Sequence, residues 1–120
     1  MPSEAGDPDW YPLQHYFGLT AFGVNVYVAQ AGGALLGDHD EAGSNQEELY
    51  LVTSGEAAFV IDGERFEAPA VSVVAVPEPS VRRVATANVP GTTIVAIGGE
   101  QQPEFRTSWQ RHHFENVPKL

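Results

Sequence analysis

Residues 48–55 read Glu-Leu-Tyr-Leu-Val-Thr-Ser-Gly. Leucine, tyrosine, valine and threonine fill this run and a Ser-Gly pair closes it, which predicts a strand over 47–53 and a turn at Ser54-Gly55. Strand side chains alternate faces, so Glu48, Tyr50 and Val52 share one face while Leu49 and Leu51 share the other. An acid on the same face as a tyrosine and a valine is a costly choice unless something pairs with it. Glu48 is therefore the residue that the rest of the chain has to account for.

Working outward, the same grammar recurs. Residues 20–30 alternate, with Val24, Val26 and Val28 on one side and Asn25 and Tyr27 on the other, and Gly32-Gly33 ends that strand. A short strand is expected at 34–36 and a polar loop at 38–45. Residues 56–61 and 65–68 flank Asp62-Gly63, the strongest hairpin signal in the chain. Val71–Val76 is a continuous apolar run, broken by Pro77-Glu78-Pro79. Strands are expected at 81–87 and 92–97, the last closed by Gly98-Gly99. Short strands at this spacing, with no helix-length pattern among them, predict an all-β antiparallel sandwich or barrel. Trp10–Phe17 is an aromatic-rich arm, and Phe105, Trp109 and His113 recur at the period of one short amphipathic helix or a tail pinned by aromatics. The expected layout is an arm over 1–19, a barrel over 20–99 and a tail over 100–120 that packs on the barrel or on a second subunit. Lys119-Leu120 resembles a tag junction and is given no functional weight.

Composition narrows the function classes. The chain has 120 residues, 42% of them hydrophobic, which suits one globular domain. It has no cysteine, so thiolate metal sites, cysteine nucleophiles and disulfides are excluded. A net charge of −10 repels nucleic acid and anionic membranes. The N-terminus has neither the basic region nor the apolar run of a signal peptide, and the expected location is the cytoplasm.

Two motifs carry a family resemblance. Glu48, six residues, then Gly55 matches the end of the first motif of the cupins, small antiparallel jelly-roll barrels that usually hold a metal on three histidines and one glutamate. The histidines of that motif fall on Ala42 and Ser44. The second motif (glycine, five residues, proline, one residue, glycine, two residues, histidine) reads Val71, Pro77, Pro79, Arg82 here. The chain thus resembles a cupin over residues 20–99 with its metal signature degraded. The resemblance implies no bound metal and no cofactor. Val71 and Pro79 stand where the family has glycine, so a positive φ is not expected at either.

The resemblance places Arg82, with Val84, inside the barrel beside Glu48, and Arg83 outside. A guanidinium then replaces the missing cation and holds Glu48 ionised. The functional reading is a metal-independent pocket for a small molecule. Glu48 is the base for proton transfer alpha to a carbonyl, Arg82 stabilises the resulting anion, and Tyr50 or His39 returns the proton; an isomerase, cyclase or lyase would fit. Asn25, Tyr27, Val52, Val84 and Trp109 are the expected ligand-binding residues. Two alternatives stay open: a non-catalytic ligand-binding or structural homodimer, and a metal-dependent enzyme using His39, Glu48 and a C-terminal histidine (His112 or His113). A homodimer is expected because sheet edges and an outward apolar face need cover.

Overall fold

The structure, a computed structural model, describes residues 6–103 and 115–120. In chain order its elements are β1 (Asp9–Tyr11), α1 (Leu13–Phe17), β2 (Gly23–Val28), β3 (Ala34–His39), β4 (Gln46–Ser54), β5 (Glu56–Ile61), β6 (Glu64–Pro69), β7 (Val73–Val76), β8 (Arg83–Ala87) and β9 (Thr93–Glu100). Every ladder is antiparallel. A five-stranded sheet has the order β1-β2-β9-β4-β7 and a four-stranded sheet the order β3-β8-β5-β6. The class is all-β as expected. The expected antiparallel jelly-roll architecture is present, and among the described residues no ladder joins the two sheets, which share a core as an open sandwich. The expected C-terminal helix and Trp109 lie outside the described residues.

The period-two pattern sets the core. Tyr50, Val52, Ile94, Ala96, Val74 and Val76 come from one sheet; Leu35, Leu36, Ala57, Phe59, Ala68 and Ala85 come from the other. Fully buried Phe59 bridges them, with its ring centroid 5.6 Å from that of Tyr50 and 6.0 Å from that of Phe66. Each buried valine, leucine, isoleucine or phenylalanine among them contributes about 1.5–3 kcal/mol by leaving water.

The turns show which backbone positions are demanding. Asp62 and Gly63 both have positive φ (51° and 81°), the signature of the two-residue turn that matches strand twist, and β5 pairs with β6 across it. Gly55 has φ 75°, and a Cβ there would collide with Thr92 Oγ1, so no other residue suits it. Val71 corrects an expectation. It keeps φ 69° although it is a β-branched residue, and its side chain is 81% exposed. The turn into β7 takes a glycine-type conformation without a glycine. Gly98 and Gly99 also differ from expectation, since both lie within β9. Asp38 and His39 belong to β3 and not to the loop that follows.

Candidate functional site

Glu48 lies on β4 opposite Val76 of β7 and Gly98 of β9. Gly98 makes the room: a Cβ there would sit 3.1 Å from Glu48 Cγ and 3.2 Å from Gln46 Oε1. The side chains of Gln46, Glu48, Tyr50 and Val52 thus share the inner face. Asn25 and Tyr27 lie on that face too, because they pair with Ala96 and Ile94 across β9. They belong to the same sheet as Glu48.

The cation beside Glu48 is Arg83. Its Nη1 donates to Glu48 Oε1 at 2.8 Å and its Nη2 donates to the Glu78 carbonyl at 3.2 Å. Its side chain is fully buried, and Glu48 keeps only 12% exposure. The expected Glu48–Arg82 pair is therefore corrected by one residue. Arg82 is 60% exposed and pairs with Asp38 at 3.2 Å and Asp40 at 3.7 Å. Strand β8 buries Arg83 and Ala85 and exposes Thr86, so Val84 also points away from the interior face. A reading of this strand by apolar alternation finds the register: Val81, Ala85 and Ala87 form one row and Arg82, Val84 and Thr86 the other. Counting from the family motif instead put the buried cation one residue early.

Tyr50 donates to the same oxygen, Glu48 Oε1, at 2.6 Å. Burial first, and then this hydrogen bond and the negative charge of Glu48, push its hydroxyl far above its ordinary value. Tyr50 is fully buried and stays a neutral donor. Its hydroxyl is committed to Glu48 and has no exposed surface. Val52 is likewise core, with no exposure. Tyr27 is half-buried, and burial, followed by the charges of Glu48 and Glu41, raises its hydroxyl above the ordinary 10.0. Asn25 accepts a hydrogen bond from Trp10 Nε1 at 3.1 Å.

His39 completes the cluster. Its Nδ1 lies 2.7 Å from the Gly37 carbonyl, which can only accept, so Nδ1 carries a proton. Its Nε2 then faces Glu41 Oε1 at 3.0 Å and Glu48 Oε1 at 3.8 Å. Glu41 was not among the expected site residues. It is held by Ser44 Oγ at 2.9 Å, and its own backbone N–H donates to the Pro79 carbonyl at 2.8 Å. The polar loop thus delivers one carboxylate to the cluster of His39 and Glu48. Ligand atoms of His39, Glu41 and Glu48 all lie within 4.8 Å of one another. One imidazole and two carboxylates suit a divalent cation in number and kind, although Arg83 already neutralises one oxygen of Glu48.

Next to the inner face opens a polar basin of about 560 Å³, lined among others by Gln14, Asn25, Ser44, Gln46 and Gly98. Gln14 is delivered by α1, whose Oε1 stands 3.3 Å from where a Cβ of Gly23 would lie.

This architecture is the cupin fold. The structure is similar to that of KdgF from a Halomonas species (TM-score 0.67, 12% identity, 85% of this chain and 86% of that one). It is also similar to a cupin protein from Bacteroides fragilis (TM-score 0.70, 22% identity, 100% and 95%). A third similar structure is described as a sugar phosphate isomerase of the cupin superfamily from Silicibacter pomeroyi (TM-score 0.65, 19% identity, 79% of this chain and 60% of that one). No protein-family model matches the sequence, and no curated protein matches it. Among the described residues no helix is long and apolar enough to cross a membrane.

Proposed function

We propose that this chain is a small-molecule-binding cupin-fold protein in which Glu48 moves a proton on a hydroxylated carbonyl compound without a metal. The observation that carries this reading is the buried Arg83 guanidinium 2.8 Å from Glu48 Oε1, a fixed cation beside the one acid that matches the family motif. Arg83 and Tyr50 both bind Oε1, which keeps the lone pairs of Oε2 for another partner. Arg83 is too deeply buried to touch a ligand, so it acts through Glu48. His39, at 32% side-chain exposure, is the group placed to stabilise the developing anion and return the proton. The amide and hydroxyl groups of the neighbouring basin suit a ligand rich in hydroxyls, and the similarity to a structure described as a sugar phosphate isomerase supports the same ligand class.

The test is solvent exchange. Protein treated with chelator is incubated in D2O with a panel of hydroxylated aldehydes, ketones and keto acids, and loss of the α-proton signal is followed by NMR. The wild type should exchange at least one compound, and Glu48→Gln should abolish that exchange with its fold intact. Exchange undiminished in Glu48→Gln would remove Glu48 from the chemistry.

A second reading has its own observation. His39 Nε2 faces two carboxylates while Nδ1 is committed to a carbonyl, so three donor groups converge on one point. His39, Glu41 and Glu48 would hold a divalent ion, which when bound supplies a Lewis acid. Stoichiometric metal in the purified protein, lost in His39→Ala, would favour this reading over the first.

A further inference from the structure

Three positions in register across the five-stranded sheet leave a bare lane on its inner face. Glu48 of β4 pairs with Gly98 of β9, and Gly98 pairs with Gly23 of β2. A Cβ at Gly98 would press on Glu48 Cγ at 3.1 Å, and a Cβ at Gly23 would press on Gln14 Oε1 at 3.3 Å. Neither glycine has a positive φ, so a side chain at either position would use up space and would not strain the backbone. Strands lie ~4.8 Å apart, so the lane runs about 10 Å from Glu48 to Gly23, where Gln14 stands. The polar basin lies over it, with Gly23, Gly98, Gln14, Asn25 and Gln46 in its lining. Asn25 accepts from Trp10 Nε1 through Oδ1, which leaves its NH2 for another acceptor. Past Gln14 and Asn25, which line both spaces, opens a second cavity of about 660 Å³ walled by Trp10, Pro12, His15 and Tyr16. Gly18, at φ 65°, ends α1 after little more than one turn, and that turn delivers Gln14, His15 and Tyr16 together. Trp10 pairs with Tyr27 and so stands on the inner face as well.

We infer that the lane and the aromatic cavity form one extended site for an uncharged, polyhydroxylated compound that carries a flat apolar group about 10 Å from the end presented to Glu48. The chemistry of the walls selects each half. The amides of Gln14, Asn25 and Gln46 offer donors and acceptors to hydroxyls. The rings of Trp10 and Tyr16 offer flat apolar surface, and a concave apolar space with a few polar groups at its rim is the usual form of a small-molecule site. Charge selects against an anion. Neither lysine nor arginine lines either space, the basin includes Glu100, and the chain as a whole carries −10. A phosphate ester or a carboxylate therefore finds no partner here. The placing of the reacting end at Glu48 rests on the function proposed above; the aromatic cavity and its preference do not.

The experiment is a titration of the full chain with two neutral probes, phenyl β-glucoside and methyl β-glucoside, followed by NMR at the Trp10 indole N–H. The phenyl compound should shift that signal and bind roughly tenfold tighter or better, since its ring leaves water against the aromatic walls. Tyr16→Ala, at a side chain 48% exposed and outside the core, should erase the phenyl advantage. Gly23→Ala, whose new Cβ would meet the end of the flexible Gln14 side chain, should weaken both probes. Inorganic phosphate should not displace the phenyl compound. Equal affinities for the two probes, binding of neither, a phenyl advantage untouched by Tyr16→Ala, or displacement by phosphate overturns the inference. Solvent exchange separates it from the function proposed above. A phenyl preference with no exchange on any compound leaves this site standing and removes the proton transfer; exchange with no phenyl preference does the reverse.

Discussion

Exchanging the two neighbouring arginines for methionine, one at a time, separates the buried cation from the solvated one. Arg83 is fully buried and 2.8 Å from a carboxylate with 12% exposure. Methionine there removes the positive charge and leaves Glu48 without it in a low-dielectric site. Breaking a buried pair in this way costs about 3–5 kcal/mol. At ~4 °C per kcal/mol for a chain of this size, the melting temperature should fall by roughly 12–20 °C. Arg82 makes ion pairs at 3.2 and 3.7 Å with 60% of its side chain in water. Exposed pairs are worth about 0–1 kcal/mol each, so Arg82→Met should lower the melting temperature by a few degrees at most. The double variant Arg83→Met with Glu48→Gln completes the cycle. It removes both charges while the glutamine carbonyl still accepts from Tyr50, and it should recover most of the loss. The assay is thermal unfolding by circular dichroism at fixed pH. Two single variants melting within a few degrees of each other, or a double variant no better than Arg83→Met alone, would refute the reasoning.

Further outcomes follow from the same geometry. Val71→Gly relieves a left-handed backbone at an exposed site; the relief of about 1–2 kcal/mol exceeds the entropic cost of glycine, so a net gain of up to about 1 kcal/mol is expected in urea unfolding. Gly55→Ala meets both the positive φ and Thr92 Oγ1, and a loss of about 3 kcal/mol or more should appear in the same assay. Tyr50 has its pKa raised in the folded chain. The unfolded tyrosine releases its proton first, so the stabilisation is complete below about pH 10 and declines as pH rises above it; Tyr50→Phe should flatten that alkaline decline in stability measured against pH.

Most of the fold was legible because it rests on short-range rules. Asp62-Gly63 carries its own turn geometry, and the alternation of Glu48, Leu49, Tyr50, Leu51 and Val52 fixed which side chains face inward. Legibility ended where a choice depended on contacts distant in sequence. Arg82 and Arg83 are adjacent and chemically identical, and only the register of β8 against β3 and β5 decides which one is buried. Glu41 looked like part of a solvated loop because its place beside His39 depends on the Pro79 carbonyl, thirty-eight residues away. Val71 was read as incompatible with a positive φ on steric grounds that remain sound. The hydrogen bond from its N–H to Val52 O, at 2.6 Å, holds the turn in place despite the local cost.

The buried position of Arg83 also constrains any chemistry at Glu48. A metal ion contacts both its carboxylate and the substrate, so it stabilises a developing anion directly. A guanidinium with no exposed surface cannot do this and influences the reaction only through the acid that it holds. Anion stabilisation must then come from groups within a ligand's reach: His39 is partly exposed 3.8 Å from Glu48, and Tyr27 is partly exposed on the same inner face. If Glu48 is the base, His39→Gln should therefore reduce turnover more than binding, since the charge it answers develops only in the transition state. Tyr27→Phe, which removes one hydroxyl at the same face, separates the two contributions. A His39→Gln variant with unchanged turnover and weakened binding would reassign His39 to ligand positioning and leave the anion to Tyr27.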